Sequence, residues 1–372
     1  MFIELHLLQN FAPSNLNRDD TNNPKDCVFG GVRRARISSQ CVKRAIRLHP
    51  VFEKTTGVSA AERTRFLARA VADKLVEAGK TDEEARKAAS NVVGEILGGI
   101  DPKKETRSKV LFFTSAEEKD YLTRLVFENW DQAHSGNLSE KPLADSIKEF
   151  KKKFSERTSA PGIALFGRML AEDPVLNMDA SCQVAHAIST HRVNMEFDFF
   201  TAVDDLQTQE ETGAGMMGIV GYNAATFYRY TRLDFDQLLT NLGKDLSLAR
   251  KTVEGFLRAS VFAIPTGKQN SFAAQNPPSF LMAVIRDDGM AWSLANAFEK
   301  PVYPKGDRSL LETSVEALDG YWGSLVDFFG HKDAEPVVGF IGIQPELKTL
   351  KGKVVDNFDG WLENVLKKLP EE

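Results

Sequence analysis

The sequence has little cysteine, no long hydrophobic run and none of the common catalytic motifs. Its three cysteines, Cys27, Cys41 and Cys182, lack metal-ligand spacing and leave one unpaired in any disulfide scheme, so we expect a reduced, cytoplasmic setting. No run of eighteen apolar residues is present to span a membrane. The opening "MFIELHLLQNF" lacks the basic region and cleavage site of a signal peptide, and its alternation predicts a strand.

The absence of familiar motifs also limits the chemistry. No P-loop, Gly-x-Ser-x-Gly elbow or His-Glu-x-x-His motif occurs, so no familiar motif supports catalysis, a cofactor or a metal centre. "GAGMMG", 213–218, follows the polar "TQEET" where a dinucleotide site requires a strand. His186 and His191 are five residues apart, which turns the second ring off the first one's face and favours structural histidines over zinc ligands.

Positive charge is concentrated in one segment of an acidic chain. The 372 residues carry a net charge of −5, which argues against indiscriminate nucleic-acid binding. "GGVRRARISSQCVKRAIR", 30–47, nevertheless contains six cations and no acid. We predict a helix capped by Ser38 or Ser39 and stopped by Pro50. Lys43 and Arg47, four residues apart, are expected on its outer side.

Several features of this segment suit phosphate. A helix N-terminus offers unpaired N–H groups and a favourable dipole, and the two serine hydroxyls lie beside it. The pair Gly30–Gly31 would allow a backbone to approach closely. The alternative is a solvated basic helix with no ligand. The convergence of these devices favours an anion site.

The local sequence pattern changes twice along the chain, from strand-like to helical and back to strand-like. Residues 1–58 resemble short strands and turns, whereas 59–160 are predicted to be mostly helical, with capping boxes beginning at Ser59, Thr81 and Ser115. From about residue 181, "HRVNMEFDFF" and "ATFYRYTRLDF" predict two strands joined as a long hairpin. Phe199 and Phe200 on that hairpin either stack nucleic-acid bases or fill the core, and composition favours the core.

A loop of aspartates leaves a catalytic alternative open. Asp19, Asp20 and Asp26 could hold Mg²⁺ for phosphodiester cleavage. Arg18 and Lys25 flank them and would neutralise much of their field, and loop aspartates commonly bond their own backbone in turns. A metal-dependent ribonuclease therefore stands as the alternative to a binding protein. A purely protein-binding module is the third possibility.

Several motifs, taken in order, resemble a known family. "LNRDD", "FGGVRRARISSQCVKRAIR", "GRM", "AHAISTH", "FDFFTAVDDL", "FYRY" and "NAFEK" occur in this order in the Cas-seven (CasC) family of the RAMP superfamily, the backbone subunits of the type I-E CRISPR Cascade complex. The resemblance runs from about residue 3 to 300 and is weaker in 59–160. The sequence is identified as a member of that family.

The resemblance implies an α+β fold with three parts. A modified RRM-like (ferredoxin-like) palm is expected at 1–58 and 181–372, a helical fingers domain at 59–180, and a β-hairpin thumb at 194–226. The implied function is non-catalytic. Copies of the chain polymerise head to tail along a guide crRNA and present it in segments to target DNA, while a separate protein cuts the DNA.

The resemblance also implies site residues and partners. Guide-RNA contacts are expected at Arg18, Lys25, Ser38, Gln40, Lys43, Arg44, Arg47, Met169, Phe199, Phe200, Thr201, Val203, Lys268 and Asn270. Contacts with duplex DNA are expected at Lys148, Lys151, Lys152 and Lys153. The family commonly has Trp where this chain has Phe199, which weakens stacking but keeps an aromatic platform. The other partners are the large subunit, the small subunit, the guide 5′-end-capping subunit and the guide-processing endoribonuclease, with no membrane.

Overall fold

A computed structural model describes residues 1–171, 173–202, 216–330 and 334–371. The chain divides into two compact units. Unit 1 comprises residues 1–49, 184–232 and 256–370, and unit 2 is formed mainly by 50–183 and 233–255.

The described residues form the following strands and α-helices. The strands are β1 (Phe2–Ser14), β2 (Asp26–Phe29), β3 (Val32–Ile37), β4 (Glu62–Thr64), β5 (Phe112–Thr114), β6 (Cys182–Val184), β7 (Ala187–Ser189), β8 (Glu196–Ala202), β9 (Met216–Asp234), β10 (Phe280–Arg286) and β11 (Ala334–Phe340). The α-helices are α1 (Ser39–Leu48), α2 (Pro50–Thr56), α3 (Leu67–Glu77), α4 (Asp82–Leu97), α5 (Ala116–Glu128), α6 (Trp130–Ser135), α7 (Leu143–Glu156), α8 (Pro161–Phe166), α9 (Phe235–Asn241), α10 (Leu246–Phe262), α11 (Gln269–Phe272), α12 (Leu310–Phe329) and α13 (Phe358–Leu366).

Unit 1 is built on one sheet with strand order β11–β10–β1–β9–β7–β3–β2. The pairs β1–β10, β10–β11, β2–β3, β3–β7, β7–β9 and β8–β9 are antiparallel. The fold therefore combines α-helices with an antiparallel sheet, as the predicted α+β class requires.

The N-terminal strand lies in the middle of this sheet and is covered on both faces. The predicted alternation is present, but its polar side is buried as well. Glu4 accepts hydrogen bonds from Arg286 Nε (2.6 Å), the Trp292 N–H (2.6 Å) and the Tyr230 hydroxyl (2.8 Å). His6 lies beside it, with Nδ1 2.8 Å from the Tyr228 hydroxyl. These bonds compensate the cost of burying the polar groups.

Unit 2 has a helical core of its own. Apolar faces of α3, α4, α5 and α7 meet there, with Phe112 of β5 fully buried among them. Thr81 caps α4, and Ser115 forms a complete capping box with Glu118 at α5, as predicted. The capping box predicted at Ser59 is wrong, because Glu62 belongs to β4, which pairs with β5, and α3 begins only at Leu67.

In the described ranges, no helix has the length and hydropathy required to cross a bilayer.

Candidate nucleic-acid interface

The glycine pair 30–31 forms the turn between β2 and β3. Both residues have left-handed φ values, +59° for Gly30 and +75° for Gly31. A Cβ at Gly30 would collide with the carbonyl oxygen of Glu299, whereas Gly31 has open space. The predicted close approach of a backbone is therefore present at Gly30, and that backbone is the chain's own.

Arg34 is buried and holds this turn in place. Its guanidinium donates to four carbonyl oxygens, those of Phe29 (3.1 Å), Ser189 (3.1 Å), Phe298 (2.8 Å) and Glu299 (3.1 Å). Burial lowers the pKa of this guanidinium. Arg34 thus contributes to the packing of unit 1 and offers no donor to a ligand.

The two neighbouring arginines have partners too. Arg33 is exposed and forms an ion pair with Asp26. Arg36 donates from Nε to the Asp26 carbonyl (3.1 Å), and its Nη1 lies 3.3 Å from Nδ1 of His186. The cations of 30–47 therefore fall into different classes, and the arginines of β3 mainly brace the β2–β3 hairpin.

Helix α1 begins as predicted. Ser38 is its N-cap, and the Ser38 hydroxyl accepts from the Cys41 N–H (3.3 Å). The next N–H, of Ser39, donates to Nδ1 of His186 (3.2 Å). A neutral imidazole therefore occupies a helix N–H that is suited to an anion. Gln40, one residue further, is exposed.

The cations of α1 differ in exposure. Arg44 is exposed and Lys43 is half-buried, while Arg47 is only 8% exposed. The expectation that Arg47 lies on the outer side of the helix is wrong. Arg47 lies in the last turn of α1, where the helix dipole favours a cation. A long arginine side chain can bury its apolar stem at such a position.

A cleft of about 380 Å³ opens beside Arg44 in unit 1. Arg18 and Arg44 line it together with the backbone segment 265–267. Gly267 is required in this segment because a Cβ would collide with the Leu16 carbonyl. Lys268 follows with a left-handed φ of +51° and is half-buried, and Asn270 is exposed. The structure thus brings two of the predicted cations and the "GKQN" segment to one surface.

The electrostatics at the start of α1 are positive. Burial lowers the pKa of His186, and the charges of Arg36 and Lys25 lower it further. Burial raises the pKa of the Cys41 thiol, and Arg44 and Lys25 oppose that shift. Lys25 is half-buried, and its backbone N–H donates to the Asn17 carbonyl at 2.8 Å. We call Arg18, Lys25, Gln40 and Arg44 the α1 surface.

The loop aspartates are engaged locally. The Asp19 carboxylate accepts from the Thr21 N–H (2.9 Å), the Thr21 hydroxyl (2.8 Å) and the Asn23 N–H (2.9 Å). The hydrogen bond from the Thr21 hydroxyl is the main cause that lowers the pKa of Asp19. Asp26 is paired with Arg33, and Asp20 is exposed. Among the described residues, no group of three or more His, Cys, Asp or Glu side chains is arranged to hold a metal ion.

The predicted hairpin is present as β8 and β9, paired with Phe199 opposite Ile219, Phe200 opposite Gly218 and Thr201 opposite Met217. Every residue of β8 is exposed, Phe199 by 61%. The expectation that these phenylalanines fill the core is wrong, since Phe199 and Phe200 are both exposed among the described residues. "MMGIVGYN", expected between the strands, belongs to β9, and Val203 lies outside the described residues.

Met169 is presented by a rigid loop in unit 2. Gly167 has a φ of +72° after the last turn of α8. Arg168 is buried, pairs with Glu118, and donates to the carbonyls of Leu176 (2.7 Å) and Phe154 (2.8 Å). Met169 then projects outward and is 86% exposed. In "GRM", the arginine fastens the loop, and the methionine is the accessible residue.

The lysines of α7 are not equivalent. Lys151 pairs with Asp173 (2.6 Å) and Lys153 with Glu117 (3.1 Å), so both charges are largely compensated. Lys148 and Lys152 are exposed, and neither has an acidic partner within the described ranges. A DNA contact on this helix would therefore fall on Lys148 and Lys152.

The position of His186 could not be predicted from the sequence. The spacing of His186 and His191 bears only on a zinc pair, yet His186 lies at the N-terminus of α1, and His191 Nε2 accepts from the Thr226 N–H at 3.2 Å. The pairing of β3 with β7 brings His186 there. No local pattern indicates a pairing between segments about 150 residues apart.

Solved structures with this fold are subunits of RNA-guided assemblies. A chain of a "CRISPR RNA-guided surveillance complex, pre-nicking" superposes with a TM-score of 0.86 at 32% sequence identity, covering 100% of both chains. A chain of a "CRISPR RNA-guided surveillance complex" has a TM-score of 0.76 at 28% identity, covering 99% of both. No curated protein matches at a significant level.

The sequence also matches the family model of CT1975-like proteins over residues 3–358. The chain therefore belongs to the CT1975-like protein family. The membership in the Cascade backbone family that the ordered motifs indicated is confirmed.

Proposed function

We propose that this chain is the crRNA-binding backbone subunit of a type I-E Cascade surveillance complex. Copies of it polymerise head to tail along one guide RNA in the cytoplasm and present the guide for pairing with target DNA. The proposed partners are the large and small subunits, the guide 5′-end-capping subunit and the guide-processing endoribonuclease. Head-to-tail contacts produce an open filament rather than a closed ring.

The α1 surface is the observation that carries this proposal. Arg18 and Arg44 line one cleft near the first turns of α1, and the pKa of His186 at that helix is lowered by burial and further by the charges of Arg36 and Lys25. Phosphate groups are the ligands that such a surface favours. Contacts to phosphate hold a strand without reading its bases, as a subunit that accepts any guide sequence requires.

The proposed domain roles follow from the two units. Unit 1, with its antiparallel sheet, supplies the RRM-like palm and carries β8 and β9 as the thumb. The helical part of unit 2 supplies the fingers and carries Met169. The exposed aromatic residues of β8 suit contact with a displaced nucleotide, because a group of exposed large apolar side chains marks a binding surface.

We propose that the subunit is not an enzyme. The carboxylates of Asp19 and Asp26 already accept bonds from the loop backbone and from Arg33. These contacts favour a structural role over a magnesium-binding role for the loop. The ribonuclease alternative would use Asp20 as its principal carboxylate, because Asp20 is exposed and lacks the bonds just described for Asp19 and Asp26.

The test is copurification with RNA. The chain is expressed with its complex partners and a guide, and the bound RNA is measured by the ratio of absorbance at 260 and 280 nm and by sequencing. Reversal of Arg18, Lys25 and Arg44 to glutamate is expected to abolish copurifying RNA. The matched control reverses the exposed lysines Lys348, Lys351 and Lys353, with the same change in charge, and should retain RNA. Equal RNA in both variants would refute the proposal.

A second measurement addresses catalysis. The assembled complex is incubated with Mg²⁺ and an RNA complementary to the guide. No cleavage is expected. Cleavage at regular intervals that disappears in Asp19→Ala, Asp20→Ala or Asp26→Ala variants would show that the subunit is a ribonuclease.

A further inference from the structure

A small two-stranded sheet in unit 2 places the guanidinium of an arginine over an aromatic ring. Arg63 of β4 lies directly opposite Phe113 of β5, so both side chains project from the same face. The Arg63 guanidinium lies 4.9 Å from the centroid of the Phe113 ring. On the other face, Phe112 is buried in the helical core and fixes the strand. The strand pairing and the Phe113 ring thus determine where the guanidinium lies.

The upper side of this arginine faces a cleft of about 530 Å³. Phe113 is 4% exposed and packs in a buried apolar cluster with Ala160, Ile163 and Met178, whereas Arg63 itself is exposed. Leu111, 53% exposed, and Met169, 86% exposed, line the same cleft. No carboxylate within the described ranges forms an ion pair with Arg63. One planar cationic face and two accessible apolar side chains therefore surround a space of ligand size.

The remaining wall of the cleft combines apolar residues, among them Phe166 and Met178, with the polar residues Asn177 and Asp179. Asn177 lines it, and its Oδ1 accepts from the Leu170 N–H at 2.6 Å, which fixes the orientation of the amide. Asp179 lies at the exposed edge of the cleft. A carboxylate at this position repels phosphate. The cleft is thus suited to a neutral planar group whose edge carries hydrogen-bonding atoms.

We infer that this cleft binds a single nucleobase of a single-stranded nucleic acid, stacked between the Arg63 guanidinium and the Met169 side chain. The inference rests on the proposed function, which supplies the strand. Unstacked bases bind on arginine planes as well as on aromatic rings, and this type of contact tolerates any sequence. Arg63, Leu111 and Asn177 are therefore base-contacting residues in addition to Met169.

The test measures both the position and the stacking of the base. The assembled complex is loaded with a guide containing 4-thiouridine or, in a second arm, with a target strand containing 4-thiothymidine. Crosslinked peptides are identified by mass spectrometry after irradiation. Crosslinks to Arg63, Leu111 or Asn177 are expected in one arm, and that arm identifies the strand. Crosslinks to none of these three residues in either arm, with the α1 surface crosslinked normally, overturn the inference.

Variants of Arg63 distinguish stacking from charge. Arg63→Lys retains the charge but loses the planar face, so both Arg63→Lys and Arg63→Ala should weaken binding of the assigned strand by about fivefold. Both should also increase the fluorescence of 2-aminopurine placed at the crosslinked position. The matched control is Arg65→Ala, since Arg65 is exposed two residues away and does not line the cleft. A Lys variant that behaves like the wild type overturns the stacking role.

The outcome separates this inference from the proposed function. A chain that purifies without RNA refutes both. A chain that purifies with RNA, but whose 2-aminopurine signal is the same in Arg63→Ala and Arg65→Ala, refutes the cleft alone. Crosslinks from the cleft to a protein subunit instead of a nucleic acid assign it to a protein contact and also refute the inference.

Discussion

Removing Arg44 should change the salt dependence of RNA binding, whereas removing Arg47 should not. Both are arginines of α1, three residues apart, and both belong to the same motif. Arg44 is exposed and lines the cleft with Arg18, whereas Arg47 is 8% exposed. Arg44→Gln and Arg47→Gln are therefore a matched pair that differs in exposure and not in chemistry.

The magnitude follows from counterion release. If about five phosphates were neutralised per chain, the slope of log K against log salt would be about −3.5. The structure leaves Arg18, Lys25 and Arg44 as the cations of the α1 surface, which corresponds to a slope of about −2.1. A fourfold rise in salt should then weaken binding about 20-fold. Arg44→Gln should bring the slope to about −1.4.

The assay is fluorescence anisotropy of a labelled single-stranded RNA, repeated at several potassium chloride concentrations. Arg44→Gln should weaken binding most at low salt, with an unchanged free energy of unfolding. Arg47→Gln should keep the slope of the wild type and instead unfold at lower urea concentration, because it removes a buried, packed side chain.

Two results would refute this reasoning. One is a slope that changes in Arg47→Gln and not in Arg44→Gln. The other is a wild-type slope near zero, which would mean that the α1 surface makes no phosphate contacts at all.

Three further predictions concern other parts of the chain. Burial lowers the pKa of His6 to about 4 from its ordinary value of 6.5, so the unfolded chain binds this proton first. The free energy of unfolding should therefore fall by about 3 kcal/mol between pH 6.5 and pH 4, a loss absent from His6→Gln in urea titrations at both pH values. Gly30→Ala should lower the melting temperature well below that of Gly31→Ala, since only the former collides with Glu299, and equal values would contradict the turn described above. Phe199→Ala should leave the free energy of unfolding within about 0.5 kcal/mol, because the ring is exposed, while it reduces RNA retention; a large loss of stability would contradict that exposure.

Local patterns predicted many of the elements correctly. The N-terminal alternation became β1, Ser38 capped α1, and Thr81 capped α4, since a strand or a cap depends on residues close in sequence. The capping box at Ser59 failed because a pairing partner 50 residues away drew Glu62 into a strand. Local propensity yields to tertiary context in such cases.

The burial and the partners of individual cations could not be predicted from the sequence. Arg33, Arg34 and Arg36 are close neighbours in the sequence, yet one is paired, one is buried and one contacts a histidine. The carbonyls that bury Arg34 belong to residues 189, 298 and 299, which nothing near the arginine indicates. The motif located the basic segment, and distant parts of the chain determined which charges remained available.

The pairing of β1 with β10 has a consequence for synthesis on the ribosome. Phe2 pairs with Arg286, and Gly30 lies against the Glu299 carbonyl. The first strand and the β2–β3 turn therefore cannot complete their packing until these later residues have been synthesised. At about 5–20 residues per second, that interval is roughly 15–60 s. A nascent chain therefore carries its basic segment through most of translation without the backbone that shapes it. We expect RNA capture to begin only after residue 299 has left the ribosome, which would keep shorter nascent chains out of the assembly.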